Sequence, residues 1–156
     1  IPEDQEFISD CATHIKQEHH YPIQLPANLN ILKYYSDIFV DIVHESYLTG
    51  NVFFCTEKTW RPILAHRPFI IAAGKDHLAN MRRLGFKTFS DFWDESYDEL
   101  SMADRIRAIN TVLATISSWS QEELVSKLEA MRPILEHNFK TFLQLTQQKI
   151  SDTFNV

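Results

Sequence analysis

Charged and hydroxyl side chains are concentrated in one short segment, which reads Thr56-Glu57-Lys58-Thr59-Trp60-Arg61. A threonine can cap a following helix, and the unpaired N–H groups of a helix N-terminus bind phosphate well. Cations in a first helical turn oppose the helix dipole, so Lys58 and Arg61 suggest an anionic guest. Glu57 beside them can accept hydrogen bonds from ribose hydroxyls. The segment therefore indicates either a site for a phosphorylated ligand or an ordinary solvated Glu-Lys pair at a helix start.

Pro62 restricts where this helix can begin, because proline is comfortable mainly in the first turn of a helix. Thr59 is therefore the expected cap, rather than Thr56. Glu57 and Lys58 are then expected on the loop just before the helix. That position improves their reach toward a ligand.

Two apolar runs flank this segment and predict the strands that hold it. Residues 38–43 form a short β-branched run, and residues 68–74 form a second run that a glycine closes. A helix over residues 60–66 is expected between them. In a parallel α/β sheet, ligands bind beyond the carboxyl ends of the strands, so the loops after both strands are the expected site. His44 lies there, either touching a ligand or serving as a structural histidine.

Further signals downstream complete an alternating strand and helix pattern. Asp76 can cap a helix for which Gly85 is the C-terminal stop. Residues 87–89 predict a short third strand. The alternation predicts a parallel α/β sheet flanked by helices.

The chain ends in a region that is predicted to be helical. Apolar residues recur there at spacings of three and four, which is typical of core packing. Ser120 and Glu123 form a capping box, and Pro133 is expected to break or kink the chain. Before the sheet, Glu6 to Lys16 is expected to form a short helix.

The order of these polar and charged residues along the chain resembles the donor-site signature of the α-1,3-fucosyltransferases. That signature reads roughly F-E-N-S, a short loop, Y-I-T-E-K, a helix, then A-G-x-x-P-V-V-x-x-G. Here the corresponding runs are His44-Glu45-Ser46, Phe54-Cys55-Thr56-Glu57-Lys58, and residues 63–74. Residues 34–98 also resemble viral and microbial glycosyltransferase-like proteins that carry T-E-K-T-x-x-P-I and a later G-F-K-T-F…D-E-S-Y-D. The resemblance covers about half of the chain, and the T-E-K block is its specific part.

The resemblance implies a role for individual residues of this chain. Glu57 matches the glutamate that holds the nucleotide ribose, and Lys58 matches the lysine that contacts the diphosphate. Glu45 matches a glutamate that faces the donor sugar region. Ser46 follows Glu45 without the intervening Asn of the family. These matches imply a nucleoside-diphosphate sugar as donor, with GDP-linked sugars favoured.

The family also implies an architecture and a mechanism. Its members have two Rossmann-like domains facing a cleft, the GT-B arrangement, and they are generally metal-independent. Their general base lies in an acceptor-binding N-terminal domain that this sequence lacks, so no catalytic base is assigned and the acceptor is unknown. We therefore expect an N-terminal helix and loop segment at 1–30, a Rossmann-like nucleotide-sugar-binding core at 31–100, and C-terminal helices packing on that core at 101–156.

Two other classes of function fit the sequence. One is a non-catalytic nucleotide-sugar-binding or assembly module whose C-terminal helices dock a partner. The other is a metal-dependent hydrolytic or phosphotransfer enzyme that uses the acidic residues of the 91–99 segment. The alternative interpretation is that those acids form an acidic surface turn with no functional role.

Composition excludes several further classes. The formal net charge is −6, from 15 basic and 21 acidic residues, so nucleic-acid binding is not expected. No apolar run approaches the roughly 20 residues that span a bilayer. Cys11 and Cys55 build no disulfide framework, which favours a reducing compartment and a cytoplasmic location. The first residues lack both an initiator Met and a signal-peptide pattern, so we expect a piece of a longer protein.

Overall fold

A computed structural model describes residues 34–50 and 52–154 of the chain, and its side chains up to residue 148. The helix expected at Glu6–Lys16, like the whole 1–30 segment, lies outside the described residues. The described part contains a short 3-10 turn at 34–37, two strands, four α-helices and a later 3-10 helix. In chain order the elements after the first turn are β1 (Asp41–His44), α1 (Glu57–Leu64), β2 (Phe69–Ala72), α2 (His77–Arg83), the 3-10 helix (Ser96–Glu99), α3 (Met102–Ser117) and α4 (Gln121–Phe154).

The two strands form a parallel pair. Their register runs from Asp41 opposite Phe69 to His44 opposite Ala72. Parallel neighbours need a crossover connection, and the segment containing α1 supplies it. Every residue of β2 is buried, whereas the residues of β1 vary in burial. Since both carboxyl ends meet at one edge, the segments that follow the two strands lie side by side there.

The third strand expected at Lys87–Phe89 is wrong, and the described residues show a two-stranded sheet rather than a full Rossmann sheet. Side chains occupy the backbone groups that a neighbouring strand would pair. The Asn138 amide accepts from Lys87 N at 2.7 Å and donates to Lys87 O at 2.8 Å. The Glu95 carboxylate accepts from Phe89 N at 2.7 Å. With these peptide groups already satisfied, no strand ladder forms at this segment.

Helix α2 is capped from a distance rather than by the residue that precedes it. Asp76 stands at the cap position with a φ of 60°, but its side chain makes no capping bond. The Asp98 carboxylate instead accepts from Leu78 N at 2.8 Å and from Ala79 N at 3.0 Å. The expectation that Asp76 caps α2 with its side chain is therefore wrong. Gly85, with a φ of 94°, follows the last turn of the helix as expected.

The long helix α4 begins as the sequence predicts but does not end where the sequence suggests. Its predicted capping box is confirmed, because Glu123 N donates to Ser120 Oγ at 3.2 Å and Ser120 N donates to Glu123 Oε2 at 2.8 Å. Of the break or kink expected at Pro133, the break is wrong, since α4 runs through this residue. Among the described helices, none combines the length and apolar character needed to cross a bilayer.

The core lies between the strand pair and the C-terminal helices. Trp60 of α1 packs on Phe142 of α4 and on Phe86, with ring centroids 5.3 and 5.7 Å apart. Buried apolar side chains come from both strands, from all four helices and from the segment between α2 and α3; they include Ile63, Ile70, Leu78, Phe89, Tyr97, Ile109 and Met131. These contacts fix the orientation of α1 against the carboxyl edge of the sheet.

Candidate functional site

The segment that joins β1 to α1 is held against the carboxyl edge of the sheet. The buried Arg105 guanidinium of α3 donates to Leu48 O at 3.1 Å and also to Ala73 O, so it joins the segments that follow the two strands. Lys75 N donates to Gly50 O at 3.1 Å. A Cβ on Gly74 would stand 3.0 Å from Gly50 O, so the two segments are in close backbone contact. The loop around the candidate site is therefore fixed by backbone contacts.

Helix α1 begins at Glu57, and its cap is Thr56 rather than Thr59 as expected. The Thr56 hydroxyl accepts from Lys58 N at 3.3 Å. Thr59 is fully buried and its hydroxyl points inward, so it is not available to cap the helix. Pro62 consequently lies inside the helix. Glu57 and Lys58 therefore stand in the first turn and not on the preceding loop.

Glu45 follows β1 directly and is enclosed, with only 1% of its surface exposed. Oε1 accepts from Thr56 N at 2.9 Å and from the Thr59 hydroxyl at 2.6 Å. Oε2 accepts from the Thr56 hydroxyl at 2.7 Å. Burial alone raises the pKa of Glu45, but these hydrogen bonds and the nearby Lys58 charge outweigh it and hold the pKa below its ordinary value. The carboxylate is ionised at neutral pH.

The charged side chains of α1 lie nearer the surface. Lys58 Nζ is 3.4 Å from the exposed Ser46 Oγ, and no carboxylate within the described residues forms an ion pair with it. Arg61 and Glu57 are partly buried and approach each other at 4.0 Å on successive turns. Lys58 is therefore the cation that an incoming anion can neutralise.

The edge of the site carries exposed groups as well. His44, at the end of β1, is exposed. Tyr47 and Phe54 are 54% and 53% exposed, and their rings meet edge to face with centroids 6.1 Å apart. The sequence analysis missed this pair. Its signal is the presence of two aromatic residues just outside the His44-Glu45-Ser46 and Thr56-Glu57-Lys58 runs.

A cysteine and a histidine meet behind Glu45. Cys55 Sγ lies 3.7 Å from His77 Nε2, and the His77 ring packs against Phe53 at a tilt of 54°, with ring centroids 5.0 Å apart. Burial, followed by the Glu45 charge, raises the pKa of the Cys55 thiol to about 12. Burial also lowers the pKa of His77. Both groups are neutral at pH 7, so the pair fills space and supplies no thiolate nucleophile.

The acids of the 91–99 segment have structural partners. Asp98 caps α2, and Glu95 accepts from Phe89 N and from Arg82 at 3.3 Å. Asp94 accepts from Ser96 N at 2.9 Å and from its hydroxyl. Within the described part of the chain, no group of three or more His, Cys, Asp or Glu residues has a metal-binding arrangement. Backbone donors thus account for the buried acids of this segment.

The structure brings together most of the residues singled out by the sequence. Glu45, Thr56, Glu57, Lys58 and Arg61 all lie where β1 gives way to α1. Thr59 belongs to the same group, although the sequence analysis assigned it only a capping role. No family model, curated protein or solved structure matches the chain. Its function is therefore inferred from the chemistry of this site.

Proposed function

We propose that this chain is the donor-binding domain of a metal-independent glycosyltransferase that uses a nucleoside-diphosphate sugar. The finer architecture that we propose is the Rossmann-like C-terminal half of a GT-B enzyme. The acceptor-binding domain of the same protein then provides the general base. The observation that carries the proposal is a lysine, Lys58, that forms no ion pair with any carboxylate of the described residues and lies in the first turn of a threonine-capped helix at the carboxyl end of parallel strands.

The chemistry of sugar transfer explains why such a lysine matters. The bond between the anomeric carbon and the diphosphate breaks, and negative charge grows on the departing nucleoside diphosphate. Cations and helix dipoles fixed before the reaction stabilise that charge most effectively. Lys58 and Arg61, on the first turns of α1, are suited to this task. Glu57 is placed beside them to accept hydrogen bonds from ribose hydroxyls.

Calorimetry with GDP, UDP and inorganic pyrophosphate tests the proposal. Lys58→Ala should weaken nucleoside-diphosphate binding by about 1.5–3 kcal/mol, the usual contribution of a hydrogen bond to a charged group. Lys127→Ala is the matched control. It removes the same charge outside the candidate site, where the Lys127 ammonium lies over the Trp119 ring. Equal affinity in the wild-type and Lys58→Ala proteins contradicts the assignment.

A non-catalytic nucleotide-sugar-binding or assembly module is the alternative, and one surface favours it. A groove of about 270 Å³ lies between residues 36–39 and the start of α4, with Leu124, Val125 and Leu128 on its wall. Ser36, Asp37, Arg67 and Gln121 also line the groove, so it is suited to an amphipathic segment of a partner. Donor hydrolysis by the full-length parent protein, abolished by Glu57→Ala, distinguishes the enzyme from the module.

A further inference from the structure

We infer that Glu45 is a positioning residue, which holds the start of α1 so that Lys58 meets the diphosphate of the ligand, and which does not touch the ligand itself. This inference rests on the proposed donor site. It differs from the role implied by resemblance, in which Glu45 faces the donor sugar. The hydrogen bonds of its carboxylate decide between the two.

Both carboxylate oxygens of Glu45 are already occupied by donors from α1. Thr59 and Thr56 supply two hydroxyl groups and one backbone N–H, at 2.6, 2.7 and 2.9 Å. Only 1% of the Glu45 surface is exposed, and Thr59 is fully buried beside it. A ligand at the surface therefore does not reach this carboxylate, because it is enclosed and each of its oxygens already accepts a hydrogen bond.

A continuous set of hydrogen bonds leads from Glu45 to Lys58. The Thr56 hydroxyl donates to Glu45 Oε2 and accepts from Lys58 N at 3.3 Å. On the other side, Glu45 N donates to Ala72 O at 2.9 Å, at the end of β2. Glu45 thus links the first turn of α1 to both strands, and the backbone position of Lys58 relative to the sheet depends on it.

Glutamine at position 45 keeps the size of the side chain but changes its hydrogen bonding. An amide has one accepting oxygen and one donating nitrogen, whereas the carboxylate accepts at both ends. With its oxygen kept at the two donors of Oε1, the amide places an N–H against the Thr56 hydroxyl, which loses its acceptor and now accepts from that N–H as well as from Lys58 N. The fold keeps its packing while the ligand-binding turn loses its fixed geometry.

A series of three ligands separates positioning from direct contact. Inorganic pyrophosphate, GDP and a GDP-linked sugar share the diphosphate, but only the last carries a donor sugar. Glu45→Gln should weaken all three by the same factor, roughly three- to tenfold, because one net hydrogen bond is lost at the shared turn. A loss confined to the GDP-linked sugar means that Glu45 contacts the sugar, and it overturns the inference. Thr59→Val, which removes one donor and keeps the carboxylate, should give a similar uniform loss and serves if Glu45→Gln does not fold.

A double-mutant cycle tests whether Glu45 acts through Lys58. In the Lys58→Ala protein, Glu45→Gln should cause little further loss of affinity, because the cation that it positions is gone. Additive losses overturn the inference. The matched control is Glu95→Gln, another buried carboxylate that holds a backbone N–H, in this case that of Phe89. It should lower the thermal unfolding midpoint without changing ligand affinity, as expected of a purely structural acid.

The wild-type protein separates failure of this inference from failure of the proposed function. No affinity for any of the three ligands refutes the donor site and the positioning role together. Affinity that falls in Lys58→Ala but stays unchanged in both Glu45→Gln and Thr59→Val leaves the donor site standing and refutes only the role of Glu45.

Discussion

Replacing Arg105 with methionine should greatly lower the free energy of unfolding of this protein, since its guanidinium joins four separate backbone positions. Arg105 is 3% exposed and donates to the carbonyl oxygens of Leu48, Ala73, Tyr97 and Leu100. Methionine fills the space of the side-chain stem but donates nothing. Four hydrogen bonds at about 1–1.5 kcal/mol each predict a loss of about 4–6 kcal/mol in the free energy of unfolding.

Urea unfolding followed by circular dichroism measures this loss. With a slope of about 1–3 kcal/mol per molar urea, the midpoint should fall by roughly 1.3 M or more. Arg107→Met on the same helix is the control, because Arg107 is exposed and, among the described residues, its side chain pairs with Asp104 alone. The free energy of unfolding should then fall by less than about 1 kcal/mol. A similar small loss for Arg105→Met would mean that these carbonyl groups find water or other donors, and it refutes the reasoning.

Three further predictions follow from the same region. Gly74→Ala should destabilise the fold by about 1–3 kcal/mol in urea unfolding, because its Cβ meets Gly50 O and Val52 O at 3.0 and 3.1 Å; an unchanged midpoint means that the loop moves aside freely. The pKa of Glu45 is depressed in the folded protein, so the ionised carboxylate stabilises the fold fully above the ordinary pKa of 4.5, and this stabilisation is lost as the pH falls through the lower folded pKa. Glu45→Gln should flatten that part of the curve of unfolding free energy against pH, and an unchanged curve argues against the assignment. Burial raises the pKa of the Cys55 thiol to about 12, so at pH 8 it should react with iodoacetamide at least about 100-fold more slowly in the folded than in the urea-unfolded protein. Peptide mass spectrometry measures both rates, and equal rates contradict the burial of this thiol.

Local patterns predicted the elements whose stabilising contacts are themselves local. The capping box at Ser120 and Glu123 joins residues three positions apart, and Gly85 ends α2 by its own backbone conformation. The βαβ unit follows from two apolar runs around an amphipathic segment. In each case, the residues that determine the structure lie within the window from which the pattern is taken.

The errors occur where a distant side chain replaces a local partner. Thr59 was expected to cap α1 because of Pro62, yet Glu45 binds Thr59 from outside the helix and fixes Thr56 as the cap. Asp76 was expected to cap α2, yet Asp98 takes that role across 20 positions of sequence. Neither partner is visible in a short window, because both depend on the tertiary fold. The candidate site residues were found from their types and spacing. Which of them are buried and which lie at the surface became clear only from the structure.

The amide of Asn138 gives the C-terminal helix a part in the fold that its apolar stripe alone does not suggest. By accepting from and donating to the same residue, Lys87, it imitates the peptide group of an adjacent strand. A truncation that ends the protein before this position leaves the Lys87 peptide groups without this partner and removes Phe142, against which Trp60 packs. The sheet and the terminal helix therefore cannot be produced as separate pieces, and any shortened version intended for ligand work has to retain the chain beyond Phe142.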